Sequence, residues 1–216
     1  MRAVLLGPRN DSPQRLKQLL RKIPLMAGDL RIAVDGGVDD WLAIGRPPQM
    51  AIGDWDSLRS RSVLDSIAHV TLPKNKNRSD LYHAMALARE MGACDIVALG
   101  VTGGRPDHHL ASLLELAQAS QNGSFKTVWA LDEFASYYWV SPVRPLSVSV
   151  GRGRVFSVFA ASQGAVSGVS ITGARYPLRA AKLEPGSQGL SNVAQAAKVR
   201  VTVRKGSLLV VVPSSV

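Results

Sequence analysis

A mixed α/β chain is predicted, with a three-layer α/β/α domain built on a mostly parallel sheet and a small antiparallel β domain after it. Three observations predict it. From residue 1 to about 138, short apolar runs alternate with helical patterns, as in sheets whose parallel strands are joined by crossover helices. From about Pro145 helical periodicity disappears and period-two alternation replaces it, punctuated by glycines at 151, 153, 164, 168, 173, 186 and 189. The change falls near residues 139–147, where Ser141-Pro142 and Arg144-Pro145 act as breakers. The expected domains are residues 1–140 and 145–216.

Each element has its own signal. Ala3 to Leu6 reads as a strand. Ser12-Pro13 supplies a helix N-cap and a first-turn proline, and Leu16, Leu19, Leu20 and Ile23 then mark one helical face. Strands are expected at Arg31–Val34, Gln49–Ile52 and His69–Leu72. A helix follows with Leu81, Ala84, Met85 and Ala88 on its buried face. Asp95–Leu99 is the next strand, and its helix is expected to bury Leu110, Leu113, Leu114 and Ala117. Phe125–Leu131 is the sixth strand. In the second half, Val155–Ala160, Val169–Thr172 and Leu208–Val212 read as strands, and Val199, Val201 and Val203 alternate with Arg200, Thr202 and Arg204 as a half-buried strand does.

Composition narrows the function. The 216 residues are 46% apolar and 19% charged, enough for a packed core and far from a disordered composition. Lysine and arginine number 26 against 16 acids, a formal +10 that favours anionic ligands. The basic residues are scattered along the chain and form no run, so small phosphorylated ligands are expected rather than nucleic acid. The lone Cys94 allows no internal disulfide, in keeping with the cytoplasm. No apolar run approaches the ~20 residues of a membrane span, and no secretory leader is expected.

The chemistry-bearing residues follow the strands. Asp35-Gly36-Gly37 follows the second, Gly53-Asp54-Trp55-Asp56-Ser57 the third, Lys74 through Asp80 the fourth, and Gly103-Gly104-Arg105-Pro106-Asp107-His108 the fifth. Parallel topology brings all four to the carboxyl edge of the sheet, where open α/β sheets bind ligands. Asp54, Asp56 and Asp80 are hard oxygen donors suited to Mg²⁺. Lys76 and Arg105 suit phosphate oxygens, and the diglycines let backbone N–H groups approach an anion. Acids for a metal and bases for phosphate are what phosphoryl transfer requires. Each cluster also has a plain structural reading as a cap, a turn or a packing residue; their coincidence at one edge favours a shared site.

In this order these segments resemble thiamine pyrophosphokinase. The likeness continues in Gly173-Ala174-Arg175-Tyr176-Pro177-Leu178 and in Gly189-Leu190-Ser191-Asn192. The resemblance implies a C-terminal β-sandwich, a homodimer, Mg²⁺, and transfer of the diphosphate of ATP to the hydroxyl of thiamine with release of AMP. It implies that Asp54, Asp56 and Asp80 hold Mg²⁺ and that the catalytic set also includes Arg105 and Asp107. Asp35, Gly36, Gly37, Ser57, Lys76, Asn77, Ser79 and Gly104 would bind the nucleotide. Asp107, His108, Ser191 and Asn192 would line the acceptor pocket. No membrane or nucleic-acid partner is implied.

Two positions depart from the family pattern. Asn77 replaces an aspartate, and Asp39 stands where asparagine is common. An amide oxygen still ligates Mg²⁺ but brings no charge, so weaker metal binding is expected. Three alternatives stay open at this stage: a pyrophosphokinase for another small alcohol such as a pterin, a non-catalytic nucleotide- or thiamine-binding homologue, and a nucleic-acid enzyme.

Overall fold

The strand β1 (Arg2–Leu6) occupies the middle of a parallel sheet because Ala3, Val4, Leu5 and Leu6 offer apolar side chains to both of its faces, and all four are buried. It pairs on one side with β2 (Leu30–Val34) and on the other with β5 (Asp95–Leu99). Beyond β2 lie β3 (Met50–Gly53) and β4 (His69–Thr71), again parallel. The order β5-β1-β2-β3-β4 means that the chain adds strands in one direction and then returns past β1. The computed structural model describes residues 1–8 and 12–214.

Helices α1 (Pro13–Lys22), α2 (Gly37–Ala43), α3 (Asp80–Glu90) and α4 (Pro106–Gln121) connect these strands. Ser12 caps α1, its side chain accepting the Arg15 N–H, with Pro13 at the first position. In α3 the buried set is Leu81, Ala84, Met85 and Ala88, as the periodicity predicts. The short α2 is held by Trp41, fully buried, whose indole N–H points at the Ile32 carbonyl at 3.4 Å.

In α4 the expected face holds only in part, at the buried Ala117 and the half-buried Leu113. Leu110 and Leu114 are 58% and 63% exposed, whereas Leu116, Ala117 and Ala119 are buried. This helix carries leucine or alanine around much of its circumference, so apolar spacing has no single solution. Packing selects a face turned by roughly a residue, or ~100°.

Two compact units are distinguished: residues 1–115 with 130–133, and residues 116–129 with 134–216. The strand β6 (Thr127–Leu131) contributes to both. The second unit is antiparallel. Its first strand, β7 (Ala135–Val140), has no counterpart in the sequence expectations. A tight turn at Ser141–Arg144, closed by the Arg144 N–H on the Ser141 carbonyl at 2.9 Å, leads to β8 (Leu146–Ser149). β9 (Val155–Ala160), β10 (Val166–Thr172), β11 (Leu178–Leu183), β12 (Asn192–Val193), β13 (Lys198–Thr202) and β14 (Leu208–Pro213) follow.

These strands form two sheets, β12-β9-β14-β7 and β11-β10-β13-β8. Inward residues of both, such as Phe156 and Val210 from one and Ile171 and Val201 from the other, share one core. The unit is therefore a β-sandwich.

Gly37 shows how tightly the site end of the sheet is built. A Cβ there would lie 1.9 Å from the Leu6 carbonyl oxygen, so only glycine lets α2 start against β1. Gly37→Ala is expected to lower stability by about 3 kcal/mol or more, the upper range for overpacking, read from the urea midpoint. An unchanged midpoint would contradict this close approach.

Candidate active site

The site begins where β2 ends. Asp35 leaves the strand with φ +48°, in the left-handed region. Its backbone N–H still reaches the Ile52 carbonyl at 2.8 Å, so the residue turns while remaining attached to the sheet. Its Oδ2 accepts from the Ser57 hydroxyl and from the Ser57 N–H at 3.3 Å, and the Ser57 hydroxyl oxygen accepts the Gly36 N–H at 3.1 Å. Gly53 faces Asp35 directly, and a Cβ there would come within 2.8 Å of the Asp35 Cα. The glycines at 36, 37 and 53 thus serve close approach, and the Gly36 N–H is already engaged.

The second turn follows β3. Trp55 has φ +65° and is buried, its indole N–H donating to the Thr71 hydroxyl at 2.9 Å and its ring set edge-on to His69. A left-handed residue between two aspartates stops them from alternating as they would in a strand. One carboxylate oxygen from each of Asp35, Asp54 and Asp56 lies within 4.8 Å of the others. Non-glycine residues held at positive φ cost free energy and cluster at functional sites, and this acidic cluster contains one such residue and flanks another.

Lys76 balances part of that charge. Its Nζ lies 2.6 Å from Asp54 Oδ2 and 3.2 Å from Asp80 Oδ1, with all three side chains at most 21% exposed. The Lys76 hydrogen bond holds the Asp54 carboxyl below its ordinary range. Burial pushes Asp80 up, and Lys76 only partly offsets it. Burial, then the charges of Asp35 and Asp54, push Asp56 up. Burial works to lower the Lys76 ammonium, but the two carboxylates outweigh it and raise it. Asp35 Oδ1 and Asp54 Oδ1 are buried and accept no hydrogen bond.

Asp80 opens α3, whose N-cap is Ser79. The Ser79 oxygen accepts the Tyr82 N–H at 3.1 Å while its hydroxyl donates to Glu115 of α4. Glu115 therefore fixes the helix start that carries Asp80, a role that sequence reading missed because nothing in its spacing links it to the strand ends. Asp35 was expected at a nucleotide rather than among metal donors. Its position at a strand end on the same edge as Asp54 was the available signal. Asn77 is exposed on the loop before α3. Asp39 accepts the Arg59 N–H at 3.0 Å, so its charge is tied to the loop that follows Ser57.

The other predicted residues have partners of their own. Arg105 and Asp107 pair with each other, 70% and 63% exposed, through bonds of 3.1 and 2.6 Å. The Arg105 guanidinium holds the Asp107 carboxyl down at about 2. Gly104 has φ +67° and open space around it, and His108 is exposed. The Gly103 N–H donates to His109 Nδ1 at 2.7 Å, which secures this loop. In the β unit, the Asn192 amide brackets Tyr176, accepting its N–H at 3.1 Å and donating to its carbonyl at 2.8 Å. Ser191, at φ +58°, is exposed, and its N–H is held by Ser157.

Comparison with known proteins adds the following. A family model described as the thiamin pyrophosphokinase catalytic domain matches residues 24–128, and one described as the thiamin pyrophosphokinase vitamin B1 binding domain matches residues 148–208. The fold is similar to that of thiamine pyrophosphokinase from Bacillus subtilis, with 22% identity, full coverage of both chains and a TM-score of 0.83. The Geobacillus thermodenitrificans protein aligns with 23% identity, 100% of this chain, 98% of that one and a TM-score of 0.79. The yeast enzyme aligns with 14% identity, 98% and 86% coverage and a TM-score of 0.73. No curated protein sequence matches.

Two outcomes follow from the electrostatics. Because Lys76 lowers the Asp54 carboxyl, the stabilisation is complete above the unfolded value near 4 and is lost as pH falls through the folded value. Lys76→Met is therefore expected to cost about 3 kcal/mol at neutral pH, with the deficit shrinking in acid; a pH-independent deficit would refute the linkage. Arg105→Ala should return Asp107 from about 2 to the ordinary carboxylate range in a carboxyl NMR titration. A titration that does not move would show that the pair is absent in solution.

Proposed function

The chain belongs to the thiamin pyrophosphokinase family, and from that premise we propose that it transfers the diphosphate of ATP to the hydroxyl of thiamine, releasing AMP. The observation that carries the proposal is the meeting of Asp35, Asp54 and Asp56, with Lys76 bridging Asp54 and Asp80, where three parallel strands end.

The donor set fits Mg²⁺. Every donor is a hard carboxylate oxygen, and two of those oxygens are buried without a hydrogen-bond partner. Asp35, Asp54 and Asp56 would hold the ion. Asp80, expected from the sequence as a ligand, stands across Lys76 and would complete the acidic surround. When bound, Mg²⁺ neutralises charge on the triphosphate.

The chain's own groups do the remaining work. Lys76, already shared between two carboxylates, offers its remaining donor capacity to a phosphate oxygen. Arg105 presents a guanidinium whose plane Asp107 fixes, a geometry suited to phosphate. The thiamine hydroxyl oxygen bonds to the β-phosphorus as the bond from that phosphorus to the α–β bridging oxygen breaks. AMP leaves with the electron pair, and the hydroxyl proton passes to solvent. A carboxylate held at about 2 is a weak base, so Asp107 serves to orient Arg105. Loose phosphoryl transfer depends on positioning and charge more than on proton abstraction.

On the acceptor side, Asn192 shapes the loop at Tyr176 while Ser191 presents its hydroxyl. The homodimer implied by the family resemblance, and the cytoplasmic location expected from the lone cysteine, belong to the same proposal.

Incubation with ATP, Mg²⁺ and thiamine, followed by mass spectrometry, should yield thiamine diphosphate and AMP. ADP in place of AMP, or AMP only with a hydroxymethylpterin acceptor, would refute the reading. Asp54→Ala should lower turnover at least about a thousandfold, within the range for a preorganised charge-stabilising group, with the fold retained by circular dichroism. Asn77→Asp should lower the Mg²⁺ concentration that gives half-maximal rate, and an unchanged requirement would place residue 77 away from the ion.

A further inference from the structure

The formal +10 is not shared between the two units. The first unit holds 15 of the 26 basic residues and 15 of the 16 acids, so it is neutral. The β unit holds the remaining 11 basic residues and one acid, Glu184, and therefore the whole net charge. Charge asymmetry of this kind points to a polyanionic partner for that unit.

Strand geometry concentrates part of the charge on one face. On β13, Val199 and Val201 enter the core while Lys198 and Arg200 are exposed on the opposite face. Cross-strand pairing sets Lys198 beside Ser149, and Arg200 between Ser147 and Thr172. On β11, Lys182 lies opposite Ser167, and Arg179 follows the inward Leu178. Arg204 joins them. Its stem lies across Gly168, where a Cβ would come within 2.6 Å of it. The only acid of the unit is paired with Lys182.

We propose that this outer face of the β11-β10-β13-β8 sheet docks the phosphate backbone of double-stranded nucleic acid. Lysine, arginine and serine or threonine hydroxyls are the side chains that contact phosphates without reading bases. Lys198 and Arg200, two residues apart on one strand, have backbone positions about 6.6 Å apart on the same face. Among the described residues, no exposed aromatic side chain lies on these four strands, so the face lacks the stacking platform of single-strand binders. It also lacks an exposed large apolar side chain, which a lipid-inserting surface uses. The sequence expectation of no nucleic-acid partner rested on basic residues scattered along the chain; folding gathers four of them on one sheet, with Arg204 beside them.

The test is fluorescence anisotropy of the full chain with a DNA duplex of about 20 bp across about 50–200 mM salt. Lys198→Ser/Arg200→Ser should weaken binding about tenfold and flatten the log–log salt slope by about 1.8, the loss of two phosphate contacts. Lys17→Ser/Arg46→Ser, the same charge change on exposed residues of the neutral unit, should change affinity less than about twofold, because only local contacts release counterions. Arg200→Lys should keep the slope. Equal effects from the two double variants would overturn the proposal. So would tighter binding of single strands, or binding to phosphatidylglycerol vesicles but not to the duplex.

Discussion

Mutual repulsion among carboxylates is the constraint around which the first unit is arranged. Asp35, Asp54, Asp56 and Asp80 gather at one end of a sheet whose strands leave them little freedom to separate. Lys76 offsets part of this, and its ammonium is held between Asp54 and Asp80. Neighbouring carboxyls are displaced in opposite directions: Asp54, bonded to Lys76, is lowered, while Asp56 is raised, first by desolvation and then by the charges of Asp35 and Asp54. A cluster so built stores an affinity for cations, because each buried oxygen without a hydrogen bond is better solvated by an ion than left bare.

Holding like charges together requires a stiff frame. At this site Asp35 and Trp55 adopt left-handed backbone without being glycine, and each is over-determined by its surroundings. Asp35 is fastened by the sheet bond to Ile52 and by Ser57. Trp55 is fastened by its buried indole and Thr71. The adjoining glycines at 36, 37 and 53 remove the Cβ atoms that would push these turns apart. The site is thus strained backbone clamped by a parallel sheet, with Glu115 extending the support from α4 to the helix start that bears Asp80.

The β unit follows a different physical logic. Its two sheets share a core rich in valine, and its polar surface carries almost no acid. Asn192 shows how a conspicuous polar residue is used there: buried, it spends its amide on the backbone at Tyr176 and so fixes a loop. Ser191 beside it, in left-handed backbone, remains exposed.

The sequence by itself determined the fold class, most strands, the buried stripe of α3 and the sheet edge at which the aspartates and Lys76 gather. These depend on local periodicity and on the rule that parallel strands point one way. It could not select the buried face of α4, where leucine and alanine surround the helix, nor reveal β7, whose aromatic run precedes a turn that reads as a linker. Only tertiary structure decided that Asp35 joins Asp54 and Asp56, that Lys76 stands between Asp54 and Asp80, and that Lys198 and Arg200 share a sheet with Arg179 and Lys182. Those facts depend on left-handed turns and on contacts between segments far apart in the chain, and linear spacing carries no record of either.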